Sequence, residues 1–170
     1  YVRVISFNPY SCKPAIYILA KELISAHFNP EAEKLSIDNY NPGDKFIPYN
    51  IIDTFKGDKL CGIRYEQLIP WVNPGENAFR VIAGDFVTTS DGTGIVHIAP
   101  TFGADDDKVA KANGIPPLMV VDKDGFKQAM VDRNGKFYKI EDLDPSFVEQ
   151  KVNVELYREF AGRFVKNAYD

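Results

Sequence analysis

The segment from Asp91 to Asp107, DGTGIVHIAPTFGADDD, constrains the fold of this chain more than any other stretch. It places a tight turn, a β-rich apolar run, a histidine, a Pro/Gly loop and three successive carboxylates in a row. Asp91-Gly92 supplies the positive φ that a tight hairpin requires. Ile95 to Ile98 is predicted to pair back as a strand, with Val96 and Ile98 on one face and Ile95 and His97 on the other. Pro100 stops regular pairing, and Gly103 bends the chain. A helix is then predicted from Asp105 to Asn113, closed by Gly114. One imidazole and several carboxylates thus meet around a bend where backbone can approach a ligand closely.

The remaining chain is read as short elements. Val2–Phe7, Ala15–Ala20, Phe79–Ala83, Asp85–Thr89 and Pro117–Val121 are rich in β-branched and aromatic residues and are predicted strands. Asn8 to Ser11 and Asp122 to Gly125 are predicted turns, and Phe46 to Asp53 is expected to be extended. Lys21–Phe28 favours a short helix ended by Asn29-Pro30. A last helix begins at Asp144, a suitable cap, with Pro145 at its first position. Its apolar residues Phe147, Val148, Val152, Leu156 and Phe160 recur at helical spacing. This pattern predicts an α+β fold: a curved, barrel-like mixed β-sheet core with a few peripheral helices, in one domain over residues 1–170.

Composition narrows the function classes. A net charge of −4, with scattered basic residues, argues against a broad grip on nucleic acid. Contact with the tip of a single strand remains compatible with it. Cys12 and Cys61 show no metal-ligand spacing and read as reduced thiols of a cytoplasmic protein. No apolar run approaches a membrane span. The chain opens as a strand without an initiator methionine, so it is expected to be an excised piece of a longer protein.

The candidate site lies within the central run. A strand histidine such as His97 is commonly structural, but its place before a Pro/Gly bend can aim it into a cleft. Acidic residues at a helix start commonly cap amides. Asp105, Asp106 and Asp107 point about 100° apart around a helix axis, so they cannot all cap. One is expected to cap and another to face the concave side near His97. A carboxylate held at a helix N-terminus stays ionised and suits an ammonium ligand. Nucleophile and zinc-hydrolase motifs are missing, and one histidine with neighbouring aspartates is too few ligands for a transition-metal site.

The stretch from Gly92 to Asp106, GTGIVHIAPTFGADD, resembles the signature of the editing domain inserted in class I aminoacyl-tRNA synthetases, and within that class the isoleucyl branch. The valyl branch tends to carry lysine where His97 stands, and the leucyl branch methionine. Both tend to carry His-Asp where this chain has Phe102-Gly103. Phe55 to Glu66, Ala83 to Thr88, Met119 to Gly125 and Phe160 to Ala168 agree with the family in order, so the resemblance covers most of the chain.

The resemblance implies a proofreading ligase domain that hydrolyses the ester of valine attached to the isoleucine tRNA. A pocket gains little free energy from one methylene, a limit for which isoleucine against valine is the standard example, so a second sieve is needed. The implied roles are Asp106 on the ammonium of the misattached amino acid and His97 beside its side chain. Gly92, Thr93, Gly94, Pro100, Thr101, Phe102, Gly103 and Asp105 flank the aminoacyl-adenosine end. Water, ordered by substrate and pocket polar groups, attacks the carbonyl.

No cofactor is implied for this domain; ATP and magnesium belong to the parent synthetase. The implied partners are the tRNA acceptor end and the rest of that synthetase, with the fragment itself monomeric. A threonine-rich segment that helps form the family's pocket stands upstream of Tyr1 in the family pattern, and Thr88-Thr89 are not its equivalent. A second reading is a non-catalytic insertion that positions the acceptor end or braces the synthetase. It predicts no preference for valine over isoleucine.

Overall fold

Strand β1 (Val2–Phe7) alternates buried Val2, Val4 and Ser6 with more exposed neighbours, the period expected when one sheet face meets a core. The computed structural model describes residues 1–167. These form two units, one of residues 1–62 with 81–97, the other of residues 63–80 with the chain from Ile98 onward.

In the first unit β1 is the centre of a three-stranded antiparallel sheet, flanked by β2 (Pro14–Leu19) and β3 (Asn50–Thr54). The register against β3 shifts between Arg3 and Val4. β3 is exposed along its whole length. Asn8 closes the β1–β2 connection, its Oδ1 accepting the amides of Tyr10 and Ser11, each at 2.9 Å. The predicted helix after β2 forms as a 3-10 turn, Lys21–Leu23, followed by α1 (Ile24–His27). Val2, Val4, Leu19, Ala32 and Tyr49 make this unit's core, with Ile24, Phe28 and Phe46 against it. Ser6 is buried but satisfied, donating its hydroxyl to the Pro48 carbonyl at 2.8 Å.

The second unit contains α2 (Ala104–Ala112), β4 (Val120–Val121), β5 (Lys127–Gln128), α3 (Pro145–Lys151) and α4 (Val154–Tyr157). β4 and β5 pair antiparallel around the predicted Asp122–Gly125 turn. The core gathers Trp71, Val72, Val120, Met130, Phe137, Leu143 and Tyr157. Trp71 stacks on Phe160 at 4.4 Å between ring centroids and meets Phe137 edge-on at 5.2 Å. Each large side chain buried this way contributes roughly 1.5–3 kcal/mol. The Tyr157 hydroxyl donates to the Tyr138 carbonyl at 2.6 Å, and burial pushes its pKa up.

The α+β class and the capped last helix agree with the sequence reading, for Asp144 accepts the Phe147 amide at 2.8 Å with Pro145 beside it. Four expectations are corrected. The strands are all antiparallel among the described residues, where a mixed sheet was expected. Phe79–Ala83, Asp85–Thr89 and Ile95–Ile98 form no regular strand. Their composition suits a sheet, but no partner strand pairs with them among the described residues, and Phe86, Ile95 and Val96 remain exposed. Arg80 makes only an isolated bridge with Arg64, next to Phe79 at a positive φ of 54°.

Pro117–Val121 is regular only at Val120–Val121, since Pro116 and Pro117 lack the N–H a ladder uses. The last helix breaks between α3 and α4. There the Lys151 carbonyl accepts the Asn73 amide, and the Asn153 amide donates to Trp71, each at 2.8 Å. Those contacts draw Val152 into a bridge with Val72, and Asn153 then caps α4. No helix among the described residues is long and apolar enough to cross a membrane. The end of the Phe160–Ala168 resemblance, at Ala168, lies outside the described residues.

Candidate functional site

The Gly92–Gly94 turn belongs to the first unit and is fastened from three sides. The Gly94 amide donates to the Asp91 carbonyl at 3.1 Å, closing the turn. Gly92 and Gly94 adopt φ of 58° and 75°, the left-handed region that glycine enters without strain. His27 Nε2 lies 2.7 Å from the Gly92 carbonyl. The Ala20 amide donates to the Thr93 carbonyl at 2.8 Å, and the Tyr1 hydroxyl donates to the Gly94 carbonyl. Gly94 is buried against Ala20, whose Cβ would stand 2.7 Å from a Cβ added at Gly94. Beyond the turn the backbone runs irregularly to His97, which is exposed and ends this unit. The predicted strand orientation of His97 is therefore replaced by an irregular one.

Asp106 lies in the second unit. The Phe102 and Gly103 amides both donate to the Ala99 carbonyl, at 3.0 and 3.1 Å, which folds Ala99–Gly103 into a tight bend. α2 starts directly after it, with Gly103 as its flanking residue. Asp106 Oδ2 accepts the Ala99 amide at 2.9 Å, tying the first turn of the helix back onto the start of the bend. Thr101 donates its hydroxyl to the Leu118 carbonyl at 2.8 Å. Phe102 is exposed, while Pro100, Thr101 and Gly103 are half-buried. A Cβ on Gly103 would meet Asp106 Oδ2 at 2.9 Å, so the bend leaves room for that carboxylate only because residue 103 is glycine.

One acidic residue was expected to cap α2, and none does: Gly103 occupies the cap position with no side-chain bond. Asp106 turns to Ala99 instead, Asp107 pairs with Lys111 at 2.6 Å, and Asp105 is exposed. The far end of α2 is held separately. Arg80 donates to the Asn113 carbonyl at 2.5 Å and Asn77 to the Gly114 carbonyl at 3.2 Å, with Gly114 at a φ of 64°.

The structure thus brings together Ala99, Gly103 and Asp106 within one unit, and Gly92, Thr93 and Gly94 with His27, Ala20 and Tyr1 within the other. The latter three escape sequence reasoning. His27 stands 65 residues from Gly92, and its only signal is that the chain has just two histidines. Among the described residues no group of three or more His, Cys, Asp or Glu is arranged to hold a metal ion.

No protein-family model matches the chain. Curated relatives do. An isoleucine–tRNA ligase of Bacteroides fragilis is 62% identical over 170 residues, covering 100% of this chain and 15% of that protein. The isoleucine–tRNA ligase of Porphyromonas gingivalis is 58% identical over 171 residues, covering 100% of this chain and 15% of its own length. That of Cytophaga hutchinsonii is 50% identical over 169 residues, covering 99% and 14%. Over its whole length the chain is thus similar in sequence to isoleucine–tRNA ligases, and it spans about 15% of the length of the curated relatives it matches.

Proposed function

We propose that this chain is the proofreading domain of an isoleucine–tRNA ligase and hydrolyses the ester of valine attached to the isoleucine tRNA. The observation that supports the reading most is the Asp106 carboxylate. It is half-buried at the head of α2, oriented through Oδ2 by the Ala99 amide at 2.9 Å, while Oδ1 makes no hydrogen bond among the described residues. A fixed anion with one free oxygen suits a primary ammonium group.

In this reading Asp106 binds the α-ammonium of the misattached amino acid. His97 stands beside its side chain and excludes isoleucine by size. The backbone of Gly92, Thr93 and Gly94, and of Pro100 through Gly103 with Asp105, flanks the aminoacyl-adenosine end. Water adds to the ester carbonyl, and the tetrahedral intermediate collapses by breaking the bond to the ribose oxygen. That oxygen takes up a proton and free valine departs. Polar groups fixed in place before the reaction favour the charge that develops on the carbonyl oxygen.

The same reading includes a barrel-like curvature of the editing fold, one editing domain over residues 1–170, a cytoplasmic setting and a monomeric fragment. Its partners are the tRNA acceptor end and the remainder of the ligase, whose synthetic site uses ATP and magnesium. The test is Asp106→Ala in the full-length ligase that carries this chain, given preformed valyl-tRNA. The expected result is loss of deacylation by roughly a hundredfold, the scale of a lost charge-assisted contact in a closed site. Undiminished release of valine would remove Asp106 from the mechanism.

A further inference from the structure

The Gly92 carbonyl is an acceptor only, so the 2.7 Å contact requires His27 Nε2 to carry the proton and donate. His27 is the last residue of α1, whose one turn follows the 3-10 turn Lys21–Leu23 and continues from β2. The same stretch supplies the Ala20 amide that donates to Thr93 at 2.8 Å. The segment after β2 therefore grips two consecutive carbonyls of the turn, once by backbone and once by side chain. Gly92 is exposed, and among the described residues its carbonyl is held by His27 and its amide by Asp91 Oδ1 at 2.8 Å.

From this geometry we infer that His27 is a positioning residue: its Nε2–H orients the Gly92–Gly94 turn for the aminoacyl end of the substrate. The inference rests on the proofreading reading above, which gives that turn a substrate. His27 touches neither substrate nor reacting atoms and acts through the turn backbone. Its effect falls on substrate binding and leaves the rate of the bound ester nearly unchanged.

Glutamine and asparagine separate donation from bulk. In glutamine the amide nitrogen lies as many bonds from Cβ as Nε2 does in histidine, whereas in asparagine it lies one bond closer. The experiment compares His27→Gln, His27→Asn and His27→Phe in the full-length ligase, with two readouts. One is KM and kcat for valyl-tRNA deacylation. The other is hydrogen–deuterium exchange of the peptide spanning residues 90–95, which needs no activity.

Loss of one such bond predicts a KM raised roughly threefold to tenfold in the Asn and Phe variants, with kcat within about twofold. It also predicts faster exchange of that peptide in both variants. The Gln variant restores both readouts. Equal behaviour of Gln and Asn, or unchanged KM and exchange in His27→Phe, overturns the inference. A wild-type ligase that leaves valyl-tRNA intact defeats the proofreading reading instead. In that case the exchange pattern still decides whether His27 holds the turn, and an unchanged pattern overturns that too.

Discussion

Asp106 Oδ2 and the Ala99 amide are 2.9 Å apart, so the carboxylate that heads α2 is oriented by backbone seven residues upstream. This separates two properties of one side chain. Asp106→Asn can keep the reach to Ala99 through its carbonyl oxygen but carries no charge. The expected outcome is a thermal stability within about 1 kcal/mol of wild type. Valyl-tRNA hydrolysis falls at least roughly tenfold, the minimum for losing a charge-assisted contact. Steady-state deacylation and a melting curve on the same preparation check both halves.

Gly103→Ala tests the space that carboxylate occupies. Residue 103 has a φ of −108°, which any residue adopts, so the backbone tolerates alanine. The new Cβ would stand 2.9 Å from Asp106 Oδ2, and the flexible carboxylate is what must move. The variant is expected to fold with near-native stability while losing hydrolysis, and its crystal structure is expected to show Asp106 displaced from Ala99. Full activity with an undisturbed Asp106 would contradict this.

Gly94→Ala should behave in the opposite way. Here φ is 75° and the added Cβ would lie 2.7 Å from the Cβ of Ala20, in a buried position. Both backbone and packing are strained, so destabilisation of about 1–3 kcal/mol is expected. Urea unfolding followed by far-UV circular dichroism measures it.

Two turns in the second unit predict acid sensitivity. Asp122 accepts the Gln128 side chain at 2.9 Å and the Phe126 amide at 2.8 Å, and these bonds hold its pKa below the ordinary carboxylate value. Asp132 is lowered in the same way, first by the Lys136 amide at 2.9 Å and then by Asn134. The folded state therefore binds fewer protons than the unfolded one as these groups titrate. Their contribution is complete above the ordinary carboxylate pKa and is lost as pH falls through the lowered values. Asp122→Asn with Asp132→Asn should flatten the stability profile over roughly pH 2 to 5. Denaturant midpoints across that range read the change, and a slope equal to wild type would contradict it.

Local signals were the legible ones. Asp144 with Pro145, Gly114 after α2, the Asp122–Gly125 turn and β1 each depend on neighbours in sequence. What failed depends on distant backbone. Ile95–Ile98 has strand composition, but a strand needs a partner, and composition does not say whether one exists. The helix after Asp144 follows an unbroken apolar period, yet the backbone around Trp71 and Asn73 competes for the Lys151–Asn153 peptides. For the candidate site, residue types pointed to a turn at Gly92–Gly94 and to some member of Asp105–Asp107, while the choice of Asp106 among the three came from the family resemblance. That Asp106 would reach for Ala99 rather than cap its own helix was not legible, because both are amides within reach of a helix-start carboxylate. The grip of His27 on Gly92 is set by how β2 leads into α1, which no spacing rule encodes.

The most direct test of proofreading is the ratio of deacylation rates for valyl-tRNA and isoleucyl-tRNA, measured with the full-length ligase and with its His97→Ala variant. The account predicts that the wild type clears the valyl ester and spares the isoleucyl ester, and that His97→Ala narrows the gap by admitting isoleucine or by slowing valine removal. A wild type that hydrolyses both at one rate, or a variant with the ratio unchanged, would contradict it.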